Sequence, residues 1–378
     1  MKKIVWLLSF IPSLVMAQNI YTVSNAPGTS ANFKTLQGAH DSVAAGSILY
    51  VMPSSYSYGD VVFTKKLTIY GTGYFLGQNL EPYTQANTAP VLVNSITFRA
   101  GSDNSYVEGL QLAFQAQHNT NRVALDTVAN VTISRCLLLS PTSGAYAGYH
   151  SFVFLSGANN CLIKQCYLQN INGAAVPSVI RYENGTLPNF SGIQFVNNIF
   201  DWQGVGANGF SIGPDGGSGF QGGGTTNASF VNNTFYIDCI RARFGNLSFT
   251  NNIFVNDIPG SIITDPSTLY FGTALFNITD EPKMFPVPGN NLHSANTDSM
   301  FVGSLTGYHS IDQKWKPRDT SFVNTFGQGG TACGAYGGTE PYRLSGIPNL
   351  PFIYNLTVPS QATAPGTIAV HIKANASN

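Results

Sequence analysis

The hexapeptide FVNNTF (230–235) sets two amides between apolar neighbours, and close variants flank it: FVNNIF at 195–200 and FTNNIF at 249–254. Alternation of period two with β-branched and aromatic residues reads as strand. Each copy is therefore a strand, a sharp corner at the Asn pair, and a second strand. VTISRCLLL (131–139) and CLIKQCYLQ (161–169) have the same shape, with Cys136 and Cys166 where the second Asn falls. YVEGLQLAF (106–114) fits with Gly109, and LTIYGTGYF (67–75) with Gly71. The aligned positions 71, 109, 136, 166, 198, 233 and 252 are unevenly spaced. A fixed local motif at irregular spacing means a repeat with a constant core and loops of varying length.

Short strands joined by a repeated corner stack into a parallel β-solenoid, with equivalent residues about 4.8 Å apart. An inward Asn at the corner can hydrogen-bond its amide to the Asn above and below, so the repeat satisfies its own buried polar group. Asn also tolerates the left-handed backbone of a tight corner. The expected ladder comprises Asn198, Asn233 and Asn252, continued by Cys166, Cys136, Gly109 and Gly71 as small substitutes.

Composition suits this reading. Of 378 residues only 10% are charged, against roughly 25% in an average globular protein, while Gly (39) and aromatics (12%) are plentiful. Net charge is zero, which argues against a nucleic-acid partner, since that needs a basic face. The opening MKKIVWLLSFIPSLVMAQ has a basic start, a short apolar run and a small-residue end at Ala17, the pattern of a secretory signal peptide (1–17). The expectation is an exported chain, periplasmic, cell-surface or extracellular, with no transmembrane anchor after processing. Five cysteines (Cys136, Cys161, Cys166, Cys239, Cys333) make no disulfide framework. They read as buried thiols, with one bridge open and Cys161–Cys166 the nearest pair.

The segment 31–73, ANFKTLQGAHDSVAAGSILYVMPSSYSYGDVVFTKKLTIYGTG, resembles the start of right-handed parallel β-helix proteins of the pectin-lyase-like superfamily, exported bacterial type. The resemblance implies a short capping helix (about 31–45), and Phe33, Leu36, Ala39 and Val43 share one helical face. MFVGSLTGYHSIDQKWKPRDTSFVNTFGQGGTACGAYGG (300–338) is similar to the last coils of that superfamily. The implied fold is an all-β, right-handed parallel β-helix over 18–338 with an N-terminal cap. An extended C-terminal tail, 339–378, is expected to pack on the solenoid.

The resemblance is specific for fold, since the superfamily holds lyases, hydrolases, epimerases, adhesins and inactive binders. A lyase needs a group that neutralises a uronate carboxylate and a base beside it. A glycosidase needs two or three placed carboxylates. Carboxylates here are scattered singly, so no cofactor is expected, and Ca²⁺ has no supporting motif. Basic residues make the catalytic candidates: Arg241 and Arg243 in CIRARF (239–244), and Arg181 in SVIRYE (178–183) two coils earlier. If the register holds, Arg181 and Arg241 stand about 10 Å apart along the axis, two coil spacings. Ordinary surface pairing with Glu183, Asp201 or Asp238 is the alternative.

Glycan contacts are assigned to Tyr146, Tyr149, Tyr182 and Trp202 for their amphipathic rings. Asp215 joins them at the tip of the glycine-rich loop 209–227. Three readings follow. The first is an exported β-helix protein that binds a glycan or surface without catalysis, its partner a polysaccharide or cell-surface glycan. The second is a lyase acting on an acidic polysaccharide. The third is a structural envelope or matrix component.

Overall fold

A computed structural model describes residues 19–113, 121–139, 151–170, 178–182, 190–202, 210–214, 227–237, 240–242, 246–256, 271–282, 284–285, 289–304, 307–360 and 366–376. The chain is a parallel β-helix. Three sheets, of ten, eight and seven strands among these residues, each pair every coil with the next in parallel. The ten-stranded first sheet runs from Ile20–Val23 to Phe271–Leu275. The second runs from Leu92–Val93 to Ile278–Thr279, and the third from Asp60–Phe63 to Ile240–Ala242.

One coil shows the path. Val123–Asp126 lies in the third sheet, Thr132–Ser134 in the first and Leu137–Leu139 in the second, after which the chain returns to the third at Ser151–Ser156. Only two residues, Arg135 and Cys136, separate the first sheet from the second. The same two-residue corner recurs at Asn197–Asn198, Asn232–Asn233 and Asn251–Asn252. Length variation falls in the other two connections, which is why the motif spacing is uneven.

The two corner residues divide the work. The first takes the left-handed backbone: φ is 47° at Arg135, 53° at Gln165, 55° at Asn197, 53° at Asn232 and 58° at Asn251. This corrects the expectation that the second Asn makes the turn. The second instead points inward and bonds to its counterpart. Asn198 Nδ2 donates to Asn233 Oδ1 (3.0 Å), Asn233 Nδ2 to Asn252 Oδ1 (3.0 Å) and Asn252 Nδ2 to Asn277 Oδ1 (3.0 Å). Asn277 Nδ2 donates to Asn291 Oδ1 (2.9 Å), so the row runs two rungs beyond the FVNNTF copies.

Each Oδ1 in the row also accepts the backbone N–H of the preceding rung, as Asn233 does from Asn198 (2.9 Å). Each Nδ2 also donates to a carbonyl of the preceding coil, as Asn233 does to Phe195 (2.8 Å). Cys166 joins at the other end, its N–H donating to Asn198 Oδ1 (2.9 Å), and the Cys136 N–H meets Cys166 Sγ at 3.4 Å. The two glycines stand one residue before the level expected of them. Leu137 pairs with Gln111, so Leu110, not Gly109, is level with Cys136. By the same register Thr72, not Gly71, is level with Leu110. Gly109 occupies the left-handed first position at φ 75°.

Inside, identical residues stack in columns. Phe195, Phe230 and Phe249 lie 4.9 and 4.8 Å apart, and Phe200, Phe235 and Phe254 lie 4.6 and 4.5 Å apart, all nearly parallel. The helix α1 (Leu36–Ser42) caps the open end. Thr35 accepts the Gly38 N–H, and Leu36 and Ala39 are buried with Val43. His40 is structural here: its Nε2 accepts the Thr64 N–H at 3.1 Å. Among the described cysteines, Cys136, Cys161, Cys166 and Cys333 are buried and free; Cys239 lies outside the described residues.

The coils end sooner than 338. Ile278 bridges to Leu292, and from there the chain leaves the stack and returns along its outside as a strap, described over residues 293–304 and 307–350. Met300, Phe301, Trp315, Val323, Cys333 and Tyr342 cover the outward side chains Leu137, Tyr167, Ile199, Ile253 and Ile278 of the second sheet. That sheet is therefore buried on both faces. The strap docks on the first corner residues. Gln328 N–H donates to Asn251 Oδ1 (2.9 Å). Asn197 Nδ2 donates to the Ala335 and Gly337 carbonyls (2.8 and 2.7 Å), and Gln165 Nε2 to those of Glu340 and Pro341 (both 2.9 Å). An antiparallel hairpin, Phe352–Thr357 with His371–Asn375, follows.

Stability should separate the two Asn of a pair. Asn252→Ala leaves the Asn233 backbone N–H without its acceptor and removes the bonds of Asn252 Nδ2 to Asn277 Oδ1 and the Phe230 carbonyl. With about 1–3 kcal/mol per buried unsatisfied group it is expected to cost ~3 kcal/mol or more. Asn251→Gly keeps the left-handed corner and loses the bond to Gln328, for a cost of about 1 kcal/mol. Urea-unfolding midpoints of the two variants check the order.

Candidate functional site

A concavity of about 860 Å³ lies where the outer face of the first sheet meets the strap. Its floor comes from strand ends. Tyr106 and Glu108 belong to the strand Tyr106–Glu108, Ser134 ends Thr132–Ser134 and Lys164 ends Leu162–Lys164. Alternation points these residues outward while Val107, Ile133 and Ile163 fill the core. Strap residues Glu340, Tyr342 and Arg343 form the facing wall.

Charges here are tied together. Arg135 Nη1 lies 3.1 Å from Glu108 Oε1 and also donates to the Ile347 carbonyl (3.1 Å), while its Nε donates to Gln165 Oε1 (2.6 Å). Lys164 Nζ lies 2.6 Å from Glu340 Oε2. Glu108 is 1% exposed, and among the described residues its Oε2 makes no hydrogen bond. Burial pushes its carboxyl above the ordinary range, with Arg135 partly offsetting that. Glu340, near the surface, is held low by its hydrogen bond from Lys164. Burial, with Arg135 adding repulsion, lowers Arg343.

A tyrosine row continues the floor. The Tyr50 and Tyr70 rings are stacked at 5.6 Å, and Tyr106 follows Tyr70 at 5.9 Å with a 57° tilt. Tyr50 and Tyr70 are in register, whereas Tyr106 stands diagonal to Tyr70, since Tyr70 pairs with Glu108. Burial and the nearby Glu108 charge raise both Tyr70 and Tyr106 above the usual phenol range.

The described residues singled out from sequence as catalytic or glycan contacts sit on other strands than those of this cleft. Arg181 and Tyr182 lie on Ser178–Tyr182 and Arg241 on Ile240–Ala242, both in the third sheet. Arg181 pairs with Gly213, but Arg241 pairs with Ser211, so the two stand two residues apart along the strand direction rather than in one column. Tyr182 is in register with Leu155 and Pro214. Trp202 closes Ile199–Trp202 opposite Asn170. Tyr146, Tyr149, Asp215 and Arg243 lie outside the described residues. Among the described residues no group of three His, Cys, Asp or Glu side chains is placed to hold a metal ion. The signal that would have found the cleft is a charged side chain at an outward strand end, Glu108, one corner before Arg135.

No protein-family model matches the chain, and no curated protein does. Among solved structures it is similar to pectate lyase Pel9A, at 12% identity, covering 85% of this chain and 96% of that one, TM-score 0.45. It is similar also to a rhamnogalacturonan lyase (12% identity, 80% and 95% covered, TM-score 0.46) and to pectin methylesterase from carrot (14%, 83% and 94%, TM-score 0.34). At this distance the likeness carries no site residue into the present chain. The strand pairing itself establishes the parallel β-helix.

Glu108 sets a pH dependence of stability. A raised carboxyl favours the folded state fully below its unfolded value and loses that contribution as pH rises through its folded value. The stability of Glu108→Gln relative to the parent chain should therefore increase as pH rises above the ordinary carboxylate range. Urea midpoints of both proteins across mildly acidic to neutral pH read this out; a parallel pair of curves refutes it.

Proposed function

We propose that the protein is an exported β-helix protein whose cleft binds a glycan, or a surface coated with one, without cleaving it. The observation that carries this reading is the cleft's composition. Tyr83, Tyr106, Tyr336 and Tyr342 line it with Arg135, Lys164, Gln165 and Asn349. Phenol rings offer an apolar body and a polar tip, and planar amide and guanidinium groups hold hydroxyls in fixed directions. A concave surface with a few convergent polar groups is the usual form of a small-ligand site. Both buried and rim carboxylates, Glu108 and Glu340, are engaged by cations, which suits holding a ligand better than moving protons.

A lyase acting on an acidic polysaccharide is the second reading, favoured by the cations of the cleft. Arg135, Lys164 and Arg343 would neutralise a uronate carboxylate, and Arg181 and Arg241 on the third sheet, together with Arg243, are the alternative set. Export rests on the N-terminal segment, and no helix among the described residues is long and apolar enough to cross a membrane.

Binding of the processed chain to an array of neutral and acidic glycans tests the reading. Lys164→Gln and Tyr83→Ala are each expected to weaken the best ligand at least fivefold, with unfolding midpoints unchanged. Ultraviolet absorbance of the same mixtures should stay flat. Growth of an unsaturated uronate product would replace the first reading by the second.

A further inference from the structure

The cleft does not stop at Tyr106. Tyr70, its ring 5.9 Å away, walls a second hollow of about 640 Å³. Both hollows are bounded by the strap between Leu344 and Leu350 and by the strand His371–Asn375. Their chemistry differs. Four cations and three carboxylates line the first, whereas no charged residue lines the second. Polar side chains of the second are used within its own loop: Gln85 Nε2 donates to the Thr72 carbonyl at 2.6 Å, and Thr72 Oγ1 to the Ala89 carbonyl at 3.4 Å. What faces the space is Met52, Pro348, Leu350, Ile353 and Leu356. Leu356 is 49% exposed, so apolar surface is left open there that a ligand group would cover favourably.

A second contact, besides Tyr106 with Tyr70, joins the two hollows. Arg343 lines the first and Phe352 the second, with the guanidinium 5.8 Å from the Phe352 ring centroid. Among the described residues no carboxylate lies within ion-pair distance of Arg343, because Glu108 is engaged by Arg135 and Glu340 by Lys164. A half-buried cation beside a second guanidinium is a site for an anion. The space next to it is a site for hydrocarbon.

We infer that the cleft takes an anionic glycan bearing an acyl or alkyl substituent, the anion against Arg343 and the substituent in the hollow behind Tyr70. This rests on the glycan reading above and adds the second half of the ligand. Because the Arg343–Phe352 and Tyr106–Tyr70 pairs span the boundary between the two environments, charge and hydrocarbon must sit on the same sugar or on neighbouring ones.

Calorimetric titration of the processed chain with four probes, below any micelle concentration, tests the inference: n-octyl β-D-glucuronide, n-octyl β-D-glucoside, D-glucuronic acid and octanoate. Octyl glucuronide is expected to bind at least tenfold more tightly than each of the others. Leu356→Asp should reduce it to the level of glucuronic acid, and Arg343→Gln to the level of octyl glucoside. Unchanged unfolding midpoints guard both variants, with Ile353→Asp as a second exposed position. Equal binding of glucuronic acid and octyl glucuronide, or parent-like binding by Leu356→Asp, overturns the apolar half and leaves the glycan reading standing. Equal binding of the two octyl glycosides overturns the anionic half. Octanoate binding as well as octyl glucuronide, or no probe binding at all, overturns the inference and the glycan reading together.

Discussion

The hydrogen bond from one corner amide to the next is the constraint on which the fold depends. A two-residue turn between sheets leaves an inward polar side chain with nowhere to meet water. Placing the same side chain on the next coil turns that liability into a bond, and each Oδ1 from Asn233 to Asn291 receives two donors. Because every rung must lie level with its neighbour, the register of all three sheets follows. The phenylalanine columns inside stack face to face only because the corners hold them level.

The first residue of each pair answers a different demand. Its left-handed backbone directs the side chain outward, and at Asn251, Asn197, Gln165 and Arg135 that side chain meets the strap. Asn suits the position because it adopts positive φ with little strain and offers both a donor and an acceptor. Arg135 and Gln165 accept some strain there and gain a longer reach. The cleft is a product of the same geometry. Where the strap approaches the Tyr106–Glu108 strand, Arg135 and Lys164 are drawn into pairs across the gap, and polar groups converge around open space.

Much of the fold was legible because a repeat states its local rule many times. FVNNTF and its copies gave strand, corner and strand, and the α1 cap followed from one helical face. The glycine alignment slipped by one because Gly109 satisfies the turn while Leu110 fills the core, and a single sequence cannot show which role a small residue serves. Asn277 and Asn291 were missed since each follows only part of the motif. The strap's sequence resembles further coils because its residues are as apolar as theirs; they face a sheet's outer side rather than the axis. The cleft was illegible for a similar reason. Glu108, Arg135 and Lys164 come together only when successive coils stack, and Glu340, 176 positions beyond Lys164, only when the strap returns.

The strap also behaves as a ruler. It meets the stack at the coils of Asn251, Asn197, Gln165 and Arg135 in turn, and reaches Tyr74, whose N–H donates to the Ser345 carbonyl. Its length in residues is thereby matched to the number of coils it crosses. A solenoid without such a return can grow or shrink by whole repeats, since each coil needs only its neighbours. In this chain, duplicating one coil would put every later docking point out of step with the strap unless the strap lengthened by the same rise. Coil number is therefore locked, and evolutionary change is steered into the loops that leave the corners untouched.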